Sequence, residues 1–263
     1  MSARWLAEAV EEGVVSARVG RDGERLVAEW SGRLSLSVNR DGTGLVLDPH
    51  PGVDAVEVDK LRRGAVRLLL AHLGGAIPLH ASAVALGGRA VVFVGGSGLG
   101  KSTLAAALCD ELDGSLLADD AAVIERRGDA YDVVAVEERH WLDRAAAAAL
   151  GRPSDFSGEK SPLAARRVDV PRARLALIVH LAFVEGNEPP RLVPVVGIEA
   201  VAGLLSQLTR FVVDEAAIAR RDLASLADLA SRTPIVRLER PRGFDRLRET
   251  AASVAAALHG EKP

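Results

Sequence analysis

Residues 95–102 read GGSGLGKS, and Gly95, Gly100, Lys101 and Ser102 fill the fixed positions of the pattern G-x-x-x-x-G-K-[ST]. Each of these residue types has a physical task. Glycines adopt positive φ and let main-chain N–H groups converge on phosphate oxygens with no Cβ in the way. A helix that starts near Lys101 turns its positive dipole end toward the same anion. Lys101 is placed to reach between β- and γ-phosphates, and the Ser102 hydroxyl to ligate Mg²⁺. Gly96, Ser97, Gly98, Leu99 and Thr103 complete the stretch. The chemistry implied is capture of a nucleoside triphosphate, ATP, with Mg²⁺. The bland alternative is a glycine-rich turn carrying a chance lysine, and a strand before the turn with a helix after it weighs against that.

Asp119 and Asp120 are the second feature, at the end of the short apolar run Leu116-Leu117-Ala118. One carboxylate of such a pair can hold Mg²⁺ while the other accepts a proton from an attacking hydroxyl. An Asx turn or a helix cap explains the same dipeptide equally well. His80, taken alone, reads as a hydrogen-bonded structural histidine, and Cys109, the single cysteine, as core. The cluster Glu137, Glu138, Arg139 and His140 reads as solvated surface. Lys160, Arg166 and Arg167 either approach phosphate or coat a loop.

The elements that must hold these residues follow from periodicity. Residues 14–58 alternate apolar and polar side chains around Asp22-Gly23 and Asp41-Gly42, the pattern of a small antiparallel sheet. Leu61, Val66, Leu69, Leu70 and Leu73 recur at helical spacing, and Gly74-Gly75 ends that helix. Residues 79–86 and 89–94 are strands joined by Gly87-Gly88, so the strand entering the glycine-rich loop is reached from an antiparallel neighbour. After the loop, Leu104, Leu108 and Leu112 line one face of a helix that Gly114 stops. A hairpin is expected around residues 127–129, a loop over 151–165 and a core strand over 175–184. Helices are expected over 198–210 and 214–231, a strand over 235–239 and a last helix over 243–258. Two parts result: a β-rich segment, 1–58, and a phosphate-loop domain, 59–263.

Composition bounds the rest. The 263 residues are 48% apolar but only 3% aromatic, so the core is built mainly from Leu, Val and Ala. The net charge of −3 and the lack of a long basic run argue against nucleic acid as a partner. No apolar stretch approaches the roughly 20 residues of a membrane span. The first residues, MSARWLAEAVEEG, lack the pattern of a secretory signal, and one cysteine fits a reducing compartment, so a cytoplasmic protein is expected. Transporter-ATPase, GTPase and eukaryotic-type protein-kinase motifs are absent.

Residues 79–120, LHASAVALGGRAVVFVGGSGLGKSTLAAALCDELDGSLLADD, place a histidine before a hairpin, then the loop, a helix and a strand ending in Ala-Asp-Asp. This order resembles the catalytic domain of HPr kinase/phosphorylase. The likeness is strong over about forty residues and continues weakly in element order to the segment TPIVRLERPRGFDRL. It is greatest to short HPr-kinase-like proteins. The resemblance implies an α/β fold with a mixed sheet around the phosphate loop, of the type shared with phosphoenolpyruvate carboxykinase. It implies that Asp119 and Asp120 supply a metal contact and the base, without saying which does which, and that His80 sits beside them. Glu137 or Glu138 would stand for a further acidic residue, and homo-oligomers would follow the family. The family's large N-terminal domain and its phosphorylase segment have no counterpart here, which puts dephosphorylation and HPr itself in doubt. The implied activity is transfer of a phosphoryl group from ATP to a serine or other hydroxyl of a peptide or small protein. A small-molecule kinase on the same scaffold and a nucleotide-binding regulatory protein with weak ATPase activity stand as alternatives.

Overall fold

The computed structural model describes residues 3–11, 13–152, 160–211 and 215–260. It is a mixed α/β structure in two compact units, Met1–Pro78 with Thr209–Asp222, and Leu79–Leu208 with Leu223–Pro263.

The first unit carries five antiparallel strands in chain order: β1 (Arg4–Glu11), β2 (Val14–Asp22), β3 (Arg25–Trp30), β4 (Leu34–Val38) and β5 (Val46–Pro49). Alternation puts Leu26, Ala28 and Trp30 of β3 and Leu34, Leu36 and Val38 of β4 on one buried face. The β2–β3 turn places Gly23 at φ 58, which its lack of a Cβ permits. Strand β1 is largely exposed and so has no apolar alternation to betray it in the sequence.

The helical stretch expected around Leu61 to Leu73 begins earlier, as α1 (Ala55–Leu61), where the Asp54 carboxylate accepts from the Val56 N–H at 2.9 Å. A π-helical turn, Arg62–Val66, then leads into α2 (Arg67–Leu73). Val66, Leu69 and Leu73 bury themselves against β3 and β4. That packing moves the division between compact units from the expected 58/59 to Pro78/Leu79. Strand β6 (Ile77–Leu79) crosses this division.

The second unit is built on a mixed sheet. Strand β7 (Ala81–Leu86) turns at Gly87-Gly88 into β8 (Arg89–Val94), antiparallel to it as the two glycines predict. The sequence reading ran one strand through 79–86, whereas the strand breaks at His80. From β8 the chain enters the glycine-rich loop and α3 (Lys101–Glu111), then β9 (Ser115–Ala118), which pairs with β7. The hairpin β10 (Ala122–Arg127) and β11 (Ala130–Val134) follows. Next come β12 (Arg139–Asp143), α4 (Arg144–Ala149) and β13 (Lys160–Ala164). Part of the region read as a loop, 151–165, is thus a strand, because Lys160–Ala164 pairs in register with β12; 153–159 lie outside the described residues.

The long strand β14 (Arg172–Phe183) runs parallel to β8 on one side. On its other side it pairs first with β11, then with β16 (Ile235–Arg240), to which β15 (Arg191–Pro194) adds. Helices α5 (Gly197–Gln207), α6 (Ala216–Arg232) and α7 (Leu247–His259) complete the chain, α6 falling across the two units.

Helix α3 is the axis of this unit. The leucine stripe predicted one buried face, but Thr103 through Cys109 are all buried. Leu104 and Leu108 pack with Phe93, Leu238 and Val254, while Ala106 meets Leu142, Ala146 and Ala147. Small side chains let the helix be enclosed on all sides, which holds its N-terminal end fixed against β8. Among the described residues no helix is long and apolar enough to cross a membrane.

Candidate active site

The loop from Gly95 to Gly100 is shaped by three left-handed residues, Gly95 at φ 144, Gly98 at φ 78 and Gly100 at φ 83. Gly100 is also the residue from which α3 starts, and its carbonyl accepts from the Leu104 N–H at 3.0 Å. Leu99 packs against the core beneath the loop, so close to Gly95 that a Cβ there would lie 3.1 Å from its Cδ1. Ser97, Gly98, Gly100, Lys101, Ser102 and Thr103 line an open cleft of about 170 Å³. Gly95 and Gly96 instead contribute their carbonyls to Lys101.

Lys101 is 6% exposed. Its ammonium donates to the Gly95 carbonyl at 2.7 Å, to the Gly96 carbonyl at 3.2 Å and to His80 Nε2 at 3.1 Å. Burial pulls its pKa below the ordinary lysine value, and Asp120 acts in the opposite sense. Because His80 Nε2 faces an ammonium, it is the acceptor nitrogen, and Nδ1–H donates to the Asp120 carbonyl at 2.9 Å. His80 therefore joins the loop lysine to the peptide of the acidic pair.

The two aspartates differ sharply. Asp119 is 4% exposed. Its Oδ1 accepts from Ser82 Oγ at 2.5 Å and from the Asp120 N–H at 3.2 Å, and its Oδ2 accepts from the Trp141 N–H at 2.7 Å. The Ser102 hydroxyl is a further donor to it. Burial pushes its pKa up and these donors pull it down, burial being the larger influence. Asp120 has φ 66, a conformation that Asp tolerates better than most residues. That turn swings its side chain out of the sheet: it is 46% exposed, lines the cleft and comes within 4.0 Å of Lys160 Nζ.

Asp119, Asp120 and Ser102 offer two carboxylates and a hydroxyl. Among the described residues no three His, Cys, Asp or Glu side chains gather into a metal cage. This donor set suits Mg²⁺, which keeps several waters and takes one or two carboxylates together with substrate phosphates. It does not suit a fully protein-ligated ion.

The remaining candidates divide. Lys160 lines the cleft, but Arg166 is paired with Asp110 at 3.1 Å and Arg167 with Asp113 and Asp169. Glu137 accepts from the backbone N–H groups of Glu138 and Arg139, a local turn away from the cleft. His140, read as surface, is fully buried because it shares the inward face of β12 with Leu142. Cys109 is core, and burial raises its thiol to about 12. Sequence reasoning missed Ser82 and the Trp141 backbone, which hold Asp119. It also missed Arg240 and Phe183 on the cleft wall, although Arg240 lies in the TPIVRLERPRGFDRL segment.

No protein-family model matches the chain, and no curated protein does. Among solved structures it is similar to the Hpr(Ser) kinase/phosphatase from Coxiella burnetii, at 12% identity and a TM-score of 0.37. That likeness covers 70% of this chain and 98% of the other.

Proposed function

We propose that the cleft binds ATP with Mg²⁺ and passes the terminal phosphoryl group to a hydroxyl of a peptide or small protein. The observation that carries this reading is the division between the two aspartates. One is buried and tied to Ser102, and the other is half-exposed in the cleft that Lys101 lines.

The bound nucleotide supplies the phosphoryl group, and Mg²⁺ neutralises charge on it. The chain does the rest. Loop N–H groups and the start of α3 hold phosphate oxygens, and Lys101 places a positive charge among them. Asp119 fixes the Ser102 hydroxyl for the metal and is itself fixed by Ser82 and the Trp141 N–H. Asp120, free to face an incoming group, accepts the proton released by the attacking hydroxyl. His80 holds the Asp120 peptide in its left-handed conformation and so aims that carboxylate. Catalysis of this kind rests on positioning and charge stabilisation.

The test is transfer of label from γ-phosphate-labelled ATP, with Mg²⁺, into a size-separated lysate of the source cells, with Lys101→Ala in parallel. A labelled protein or peptide band that vanishes in the variant supports the reading and delivers the acceptor. Label in a small metabolite points to a small-molecule kinase. Slow release of free phosphate alone points to a nucleotide-binding regulator.

A further inference from the structure

Arg240 closes β16 and is only 7% exposed. A buried charge is costly unless it is paired, and even its more exposed arginine neighbours have carboxylate partners. Arg237 meets Glu199 and Glu239, Arg191 meets Glu239, and Arg246 meets Glu249. Among the described residues no carboxylate is paired with Arg240. Its Nη2 donates to the Leu99 carbonyl at 2.9 Å, and its guanidinium lies 4.7 Å over the Phe183 ring. Burial depresses its pKa, with no neighbouring charge acting alongside. A guanidinium carries five N–H donors, so most of its hydrogen-bonding capacity is uncommitted to protein.

Its position says what would fill that capacity. Arg240 lines the cleft together with Lys101, Ser102 and Asp120. It rests on the glycine-rich loop so closely that a Cβ on Gly100 would sit 2.6 Å from Nη2. An anion held by that loop lies beside it.

We propose that Arg240 is a ligand of the terminal phosphate of a bound nucleoside triphosphate, distinguishing a triphosphate from a diphosphate. This rests on the nucleotide-binding reading of the loop. The same guanidinium chemistry would suit an acidic group on the acceptor, so the test omits any acceptor. Arg242 approaches the same Phe183 ring at 4.5 Å but does not line the cleft, and serves as a control.

Binding of ATP and ADP, each with Mg²⁺, is measured by titration calorimetry for the intact chain and for Arg240→Gln, Arg240→Lys and Arg242→Gln. The expected result is that Arg240→Gln weakens ATP by roughly tenfold or more and ADP by less than about threefold, as loss of one charge-assisted contact predicts. Arg240→Lys should fall between, because an ammonium keeps the charge and loses the fork, and it decides the matter if the Gln variant does not fold. Arg242→Gln should bind both as the intact chain does. Equal losses for ATP and ADP would show that Arg240 only braces the Leu99 carbonyl, and would overturn the proposal. Unchanged affinity for both would overturn it in favour of an acceptor-side role. If the intact chain binds neither nucleotide, the nucleotide site itself is refuted, and this inference with it.

Discussion

Replacing His140 with Leu should remove a specific acid sensitivity from the fold. His140 is fully buried on β12, and among the described residues neither ring nitrogen has a hydrogen-bond partner. Burial first, and the Arg152 charge second, lower its pKa from 6.5 to about 4. A histidine whose folded pKa is depressed favours its neutral form in the fold. Its contribution is therefore intact above pH 6.5 and is lost as pH falls toward 4, because the unfolded chain takes up the proton first. The interval corresponds to about 3 kcal/mol in full, and to about 2 kcal/mol by pH 5. Urea unfolding of the native chain and of His140→Leu at pH 7.5 and pH 5 reads this directly. His72 and His180 are also depressed by burial, so both proteins should weaken in acid. The gap between them should nevertheless widen by about 2 kcal/mol in favour of the variant. A gap that stays constant between the two pH values would refute the reasoning, whatever its size at pH 7.5.

Other perturbations probe the site and its support. Asp120→Asn should lower label transfer by roughly 10²–10⁴-fold while ATP affinity, read by calorimetry, changes little; retained transfer would remove Asp120 as the base. Gly100→Ala should cost about 1–3 kcal/mol in urea unfolding, because φ 83 strains the residue and its Cβ would sit 2.6 Å from Arg240 Nη2. Ser82→Ala takes one donor from a buried carboxylate and should cost about 1–3 kcal/mol, an effect that should disappear in an Asp119→Ala background. Leu104→Ala, at the centre of the core, should cost about 2–5 kcal/mol by the same assay.

Local rules carried the reading where chemistry is local. The loop follows from residue types at fixed spacing, and the β7–β8 hairpin from two adjacent glycines between two β-rich runs. Asp119 and Asp120 could not be told apart on the same grounds. Their difference depends on Ser82, 37 positions earlier, and on the Trp141 N–H, 22 positions later, together with a left-handed peptide at Asp120. Strand β13 was hidden because its register is supplied by β12 rather than by alternation of its own. His140 was misread because charged neighbours dominate its sequence window while strand alternation turns it inward beside Leu142. The helix boundary at residue 55 needed the Asp54 cap, and the π turn is a product of packing against the first sheet.

On the proposed reading, the charges lining the cleft give a reason for the two aspartates to differ. Lys101, Lys160 and Arg240 bring three positive groups to its walls. Asp119 offers them little, since its oxygens are already held by Ser82, two backbone N–H groups and Ser102. Asp120 and Asp143 face the cleft, Asp120 with Lys160 at 4.0 Å and Asp143 with one oxygen taken by the Ala146 N–H at the start of α4. Three cations against these two carboxylates leave a small excess of positive charge on the cleft walls, which favours the proposed polyanion. If Asp119 and Asp120 both opened into the cleft, they would compete with phosphate for the same donors. If both were buried, neither could take the part of base that the proposed transfer gives to Asp120. The left-handed peptide at Asp120, held by the His80 ring, is what gives the two side chains different surroundings, and on the proposed reading different tasks.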